Sequence, residues 1–305
     1  RSIDFALSSM SNSHIQTVAV LTQYNARSLN EHLSSSKWWN FGRKQGGLFL
    51  FTPTVTADNS DWYRGTADAM YQNIDFLKRR HEPYVIISSG DCVYKLDFNR
   101  VLDFHIEKKS DITVVCKDMM YNDDVSRFGV VRMDDESRIT EFDEKPIEAL
   151  SNTISTGIYV IRRRQLIELL EAAAEENRFD FVNDILVRYK NVKKIYGYKI
   201  NSYWNNIADI DAYFKTNMDF LRPDVRSYFF REEPTICSKV DDLPPAKFNP
   251  GSDISNSLVS SGCIINGSVE DSVLFKQVFV GKNTTVKNCV LLNDVYIGDN
   301  VHLEN

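Results

Sequence analysis

The sequence lacks a basic excess. Lys and Arg number 36 against 42 Asp and Glu, a net charge of −6, and no block of five or more like charges occurs. A chain that lives on nucleic-acid phosphate contacts usually carries the opposite balance. That argues against nucleic acid as a partner, whereas a small polyanionic substrate needs only a few local cations. Long apolar runs are missing too. Stretches such as Tyr84 to Ile87 fall far short of the ~20 residues of a spanning helix, so no membrane partner is expected. Cysteine is sparse. Cys92, Cys116, Cys237, Cys263 and Cys289 are odd in number, widely spaced and without a CxxC pair. This speaks against a disulfide framework or a zinc site, and for a reducing, cytoplasmic setting. His14, His32, His81 and His105 show no metal spacing and read as surface or helix residues. There is no targeting pattern at the start, and the chain opens on Arg1 in what reads as the middle of a domain, so an N-terminal piece is expected before it.

What is present is globular. The 305 residues are 43% hydrophobic and 26% charged, enough for one large or two ordinary domains. Up to about residue 222, short β-branched runs (Thr17–Leu21, Tyr84–Ser88, Ile112–Cys116, Gly157–Ile161, Lys194–Ile200) alternate with helical stretches (Thr66–Arg80, Arg100–Lys109, Arg164–Glu176). That pattern predicts an α/β domain around a mostly parallel mixed sheet. Ligands should then sit beyond the C-terminal ends of its strands. Residues 223–250, punctuated by prolines, read as a linker. From 251 to 305, Ile254, Val259, Ile265, Val280, Val286, Ile297 and Leu303 recur, several at six-residue spacing. Hexapeptide periodicity predicts a parallel β-helix with the aliphatic side chains inside. The register slips between Val286 and Ile297, and the short solenoid is expected to continue or to be capped by a partner.

Three segments carry chemistry. In Trp62-Tyr63-Arg64-Gly65-Thr66, a Gly-Thr pair before a helix gives a turn and an N-cap. The free N–H groups of the first helical turn can then face an anion, or the pair simply caps. In Val85–Asp91, a buried strand ends on Gly90-Asp91. That carboxylate at a sheet rim suits a hard cation beside phosphates, or only caps a turn. In Phe142-Asp143-Glu144-Lys145-Pro146, a Lys beside a Glu and before a Pro is a positioned point charge for a phosphate, or a surface ion pair.

Taken together and in this order, the segments closely resemble the bacterial glucose-1-phosphate adenylyltransferases. The likeness extends to IDFALSSMSNS, LTQYNARSL, WYRGTADAMYQN, SSGDCVYKLDF, RFGVV, EFDEKP, STGIYVI, DFVNDIL, YWNNIADIDAY and LPPAK. It implies a nucleotidyltransferase domain (Rossmann-like) followed by a left-handed β-helix. It also implies attack of glucose 1-phosphate on the α-phosphorus of ATP, with Mg²⁺ bridging the phosphates and pyrophosphate leaving. Residue by residue, Asp91 matches the metal-binding catalytic position, and Lys145 with Glu144 the glucose-1-phosphate site, as do Tyr63, Gly129 and Ser155. Gly65 and Thr66 line the same cleft. Gln23 and Trp62 fall in loops that couple nucleotide and effector.

The departures are equally informative. After Tyr203-Trp204 the family carries an acidic second metal ligand, but this chain has Asn206. Asp209 and Asp211 read as first-turn helix acids instead. Ala208 and Val182 replace glycines, and Cys92 stands where a His usually follows the catalytic Asp. The GGLFLF stretch after Arg43-Lys44 adds to the likeness. These features resemble the D-type regulatory subunits of Gram-positive bacteria, which pair with a catalytic subunit. The resemblance implies weak Mg²⁺ binding, low or no activity alone, and a heterotetramer. A fully active enzyme is the alternative. From a different class, so is a hexapeptide acyltransferase or a pure scaffold, for which the solenoid offers only His302.

Overall fold

A computed structural model describes residues 1–42, 46–54, 62–120 and 123–304. Arg43 and Lys44 lie outside the described residues. Among the described residues, ten strands precede the solenoid: β1 (Thr17–Leu21), β2 (Gly47–Phe51), β3 (Tyr84–Ser88), β4 (Cys92–Tyr94), β5 (Ile112–Asp118), β6 (Gly129–Met133), β7 (Ile139–Glu144), β8 (Thr153–Arg162), β9 (Ile195–Lys199) and β10 (Trp204–Asn206). The chain divides into two compact units, each discontinuous in sequence. The larger is Ser9–Gly90 with Leu96–Ser202, and the smaller is Arg1–Ser8 and Asp91–Lys95 with Tyr203–Asn305. No described helix is long and apolar enough to cross a membrane.

The larger unit centres on a six-stranded mixed sheet in the order β7-β6-β8-β5-β9, with β3 also on β8. β5–β9 is parallel, as is the separate pair β1–β2. The parallel share is smaller than a run of βαβ units implies, because β8 runs antiparallel to β3, β5 and β6. β8 is ten residues long and bends at Gly157, whose φ of 74° favours a residue without a Cβ. Opposite the bend, β5 has a register shift between Val114 and Cys116. Fully buried Ile112, Val114, Phe142, Ile161, Leu166 and Ile185 form the core between this sheet and its helices. Leu166, Leu169, Leu170 and Ala173 face inward from the helix Arg163–Glu175 at helical spacing.

His105 is a helix residue, as expected, but not a surface one. It lies on the helix Phe98–Glu107 but is 1% exposed, its Nδ1 2.9 Å from Thr113 Oγ1 and its ring edge-on to Tyr84. Its Nε2 has no hydrogen-bond partner among the described residues. Burial, reinforced by Arg162 and offset in part by Asp111, pushes its pKa down to about 4. The unfolded chain takes a proton near 6.5 and the folded one near 4, so protons favour unfolding between those values. Stability should be flat above about pH 6.5 and fall by roughly 3 kcal/mol as pH drops to 4. Denaturant titrations of parent and His105→Gln across this range check it. The variant should lose most of that slope.

In the smaller unit, β4 and β10 pair antiparallel, with Cys92 opposite Asn206. Pairing explains why Tyr203–Arg222 joins the solenoid's unit, and not the unit that precedes it in sequence. The stretch read as linker contains a helix, Pro223–Phe230, with Pro at its first turn. Val225 and Phe229, four residues apart, are its buried face. Phe229 makes edge contacts with Phe5 and Tyr203 at 5.3 and 5.4 Å between ring centroids. Proline count hid this helix, because Pro223 opens it and does not break it.

Residues 247–304 form three parallel ladders of short strands, with rows such as Asp253–Ser255, Ser268–Glu270, Thr285–Lys287 and His302–Glu304. Ile265, Val269, Leu274, Val280, Val286 and Ile297 fill the interior. The register slip has a geometric origin. Val286 and Leu291 sit on successive faces five residues apart, while Leu291 to Ile297 and Ile297 to Leu303 are six. Corners are turned by Asn256, Asp271, Asn283, Asn288, Asp294 and Asn300, all at positive φ. These are the side chains that tolerate left-handed backbone best after glycine. His302 is exposed and 3.4 Å from Glu304.

Candidate functional site

The candidate residues divide between the units. Gln23, Trp62, Tyr63, Gly65, Thr66, Gly129, Glu144, Lys145 and Ser155 belong to the larger, Asp91 and Asn206 to the smaller.

In the larger unit, the Trp62–Thr66 segment is held from several sides. Tyr63 N–H donates to Gln23 Oε1 at 2.6 Å, and Tyr63 Oη accepts from Asn73 at 3.0 Å. Tyr24 and Trp62, both exposed, stack at 5.3 Å. Arg64 lies over the Phe179 ring at 3.8 Å and bonds Asp68, which also accepts from Gln72. Burial alone would raise the Asp68 carboxyl, but the hydrogen bonds from Arg64 outweigh it and hold the group below its ordinary range. Gly65 is the N-cap of the short helix Thr66–Gln72. A Cβ there would collide with the Phe179 carbonyl.

Of the two readings of this turn, an anion-facing turn or a plain cap, the geometry favours the second: the N–H groups of Ala67 and Asp68 both donate to Phe179 O, at 2.8 and 3.2 Å. Thr66 Oγ1 in turn accepts from Phe181 N–H at 3.0 Å. This turn is therefore a latch onto residues 179–181, made by the Ala67 and Asp68 N–H groups and the Thr66 hydroxyl oxygen.

Gly129, Glu144 and Lys145 come together through the β6–β7 hairpin, where Gly129 pairs with Glu144. A Cβ at Gly129 would stand 2.9 Å from Glu144 Oε2 and 2.8 Å from the Phe142 ring, so the carboxylate needs that glycine. Burial, with Asp180 adding to it and Lys145 offsetting it, raises the Glu144 carboxyl above its usual range. Lys145 sits in the left-handed region at φ 50° just before Pro146, its N–H bonded to Phe128 O. Non-glycine residues hold that region only where the surroundings impose it. Its ammonium is exposed, 3.9 Å from Glu144 Oε1. Ser155, buried on β8, is 3.3 Å from Tyr159 Oη, and the Tyr159 ring lies 5.2 Å from Phe181. Tyr159, Asp180 and Phe181 thus link the Gly65-Thr66 latch to Ser155 and Glu144. Sequence reading did not single out Tyr159 or Asp180, though both lie in its STGIYVI and DFVNDIL runs.

If Lys145 has the sugar-phosphate role that the resemblance implies, Lys145→Gln should weaken glucose-1-phosphate binding by about 2–3 kcal/mol, the size of a lost charge-assisted contact. Both side chains share the left-handed backbone, and this one is 66% exposed, so melting temperature should barely move. Calorimetry showing equal binding would remove Lys145 from the site.

In the smaller unit, Asp91 and Asn206 meet through a third side chain. Cys92 Sγ donates to Asp91 Oδ1 at 3.3 Å, and Asn206 Nδ2 donates to Cys92 Sγ at 3.6 Å. Asn206 Oδ1 accepts the Ala208 N–H at 3.0 Å. That backbone donor fixes which way the amide points. Burial, then the Asp91 charge, pushes the Cys92 thiol up, which keeps its proton in place. Neither Ala208 nor Val182 has positive φ, so the backbone does not need the glycines they replace. Asp209 caps the helix Ile210–Asp219 through Ala212 N–H, and Asp211 lies in its first turn. The corner does not fit the Mg²⁺ that the resemblance implies. It offers one carboxylate, and one neutral amide that turns its oxygen to the Ala208 N–H and its nitrogen to Cys92. Among the described residues, no three of His, Cys, Asp and Glu group to hold a metal.

Comparison with known proteins converges on one family. Residues 1–222 match the nucleotidyl transferase profile, and 244–305 match the GlmU-like C-terminal hexapeptide profile. The chain is 38% identical over 289 residues to a glucose-1-phosphate adenylyltransferase of Clostridium novyi (strain NT), covering 94% of this chain and 75% of the relative. It is 37% identical over 289 residues to one from Bacillus subtilis (strain 168), covering 94% and 76%. A third, from Pseudothermotoga lettingae, is 39% identical over 289 residues, covering 94% and 68%.

Proposed function

The chain belongs to the glucose-1-phosphate adenylyltransferases of the nucleotidyl transferase family, and from that premise we propose that it is a regulatory, weakly active subunit of an ADP-glucose-forming enzyme. The reaction of the complex is ATP plus glucose 1-phosphate to ADP-glucose plus pyrophosphate. The observation that carries the reading is Asn206, an amide whose oxygen is bonded to Ala208 where the family resemblance calls for a carboxylate. In this reading Lys145 supplies a fixed cation for the sugar phosphate. Glu144 and Ser155 accept and orient the sugar hydroxyls, and the Gly65-Thr66 latch holds that wall in register. Gln23 and Tyr63, tied at 2.6 Å, pass the state of the site to the Trp62 loop. Nucleotidyl transfer rests on positioning and charge neutralisation. The larger unit retains groups for positioning, while the Asp91 corner is poor in charge.

The partner in this reading is a catalytic subunit of the same family, in a heterotetramer. Co-purification and sedimentation of the two chains test it. A mixed complex with turnover above that of the catalytic subunit alone is expected. Separate sedimentation, with no change in turnover on mixing, contradicts the regulatory reading.

A further inference from the structure

Asn206 has one oxygen and Ala208 N–H takes it, so what the amide turns toward Asp91 is its donor nitrogen, through the Cys92 sulfur. β4 and β10 place Cys92 and Asn206 directly opposite each other, so their side chains share one face of that strand pair. Ile207 N–H donates to Asp91 O at 2.9 Å and extends the same pairing to the loop that bears the carboxylate. The result is a chain of three side chains, Asn206 N–H to Cys92 S–H to Asp91 carboxylate, with each donor aimed at the next acceptor. A divalent cation at this corner would be approached by a thiol proton and an amide N–H₂. Both are donors, and both repel it. Hard cations demand oxygen.

We infer that this corner is closed by the Asn206–Cys92–Asp91 hydrogen-bond relay in place of a divalent cation. The inference does not rest on the proposed function. The relay offsets the Asp91 charge locally with a neutral donor. Asp at position 206 has two oxygens: one would keep the Ala208 N–H and the other would face the corner as an anion. Removing the thiol as well would clear the donor between the two carboxylates.

Two measurements on the full chain test this. In the first, Mn²⁺ is titrated and the free ion read by electron paramagnetic resonance, for the parent, Asn206→Asp and Cys92→Ala/Asn206→Asp. The parent should bind no Mn²⁺ tightly. Asn206→Asp should bind at least about tenfold tighter, the scale on which a metal site responds to its supporting groups, and the double variant tighter again. Parent affinity equal to that of Asn206→Asp overturns the relay. In the second, the parent is melted with Mn²⁺ and with EDTA, since a bound ion stabilises the folded chain. Equal melting temperatures support a corner without a cation, and a clear rise with Mn²⁺ overturns it. Should the variants fail to fold, as far-ultraviolet dichroism would show, this comparison on the parent decides alone.

Discussion

Asn206→Asp should raise the turnover of the isolated chain by about tenfold or more, with the larger gain at low Mg²⁺. The argument is one of donor inventory. An amide brings one acceptor and two donors, and a carboxylate brings acceptors only. At position 206 the one amide oxygen is held by the Ala208 N–H, so Asn contributes no charge and no second oxygen. Asp restores both without disturbing the turn, because its second oxygen can keep the Ala208 bond. Metal ions assist nucleotidyl transfer by offsetting charge on the phosphate oxygens and the leaving pyrophosphate, and they do so only when held in place. Initial rates of ADP-glucose pyrophosphorolysis against Mg²⁺ concentration check this. Unchanged rates across the whole Mg²⁺ range would mean that position 206 does not limit the chemistry.

The second large effect is expected far from that corner in sequence. Gly65→Ala should destabilise the larger unit by about 1–3 kcal/mol, the cost of overpacking a tight contact. It should also abolish measurable glucose-1-phosphate binding. The added Cβ meets the carbonyl of Phe179, a backbone atom with no rotamer to move into. That same carbonyl accepts from Ala67 and Asp68, so relief of the clash breaks two hydrogen bonds and shifts Asp180 and Phe181. Gly65 has an extended φ of 178°, so the effect comes from close approach and not from backbone strain. Thr66→Val, which removes only the acceptor for Phe181 N–H, should act in the same direction by about 1 kcal/mol. Thermal melts with calorimetry separate the two readouts. A Gly65→Ala variant that melts and binds like the parent would dissolve the latch.

Much of this architecture is legible in the sequence because its signals are local. β-branched runs became strands where expected, and aliphatic spacing exposed the solenoid. The apparent slip after Val286 was a five-residue face. Other features arise from pairing between distant segments, and no local pattern carries them. Asn206 reaches Cys92 across 114 residues, and only the β4–β10 register shows that the amide meets a thiol. Gly65-Thr66 reads as an anion-facing turn or a plain cap until the Phe179 carbonyl is seen to take the Ala67 and Asp68 N–H groups. Tyr159 and Asp180 look like ordinary strand and helix-start residues, and become site candidates through Tyr159's contacts with Ser155 and Phe181 and the effect of Asp180 on the Glu144 carboxyl. His105 shows the same limit from the other side: helical spacing places it on a helix, and only the packing of Tyr84 and Thr113 against it shows that it is buried.

On the proposed function, this chain keeps the sugar-phosphate wall of a glucose-1-phosphate adenylyltransferase while its Asp91–Asn206 corner lacks the charge for turnover. The most direct measurement is pyrophosphorolysis of ADP-glucose by the purified chain alone, at saturating Mg²⁺ and pyrophosphate, beside a catalytic subunit of the same family. The account predicts a rate on the order of a hundredfold or more below the catalytic subunit, the upper end of what a disabled metal site costs. A rate equal to the catalytic subunit's would contradict it.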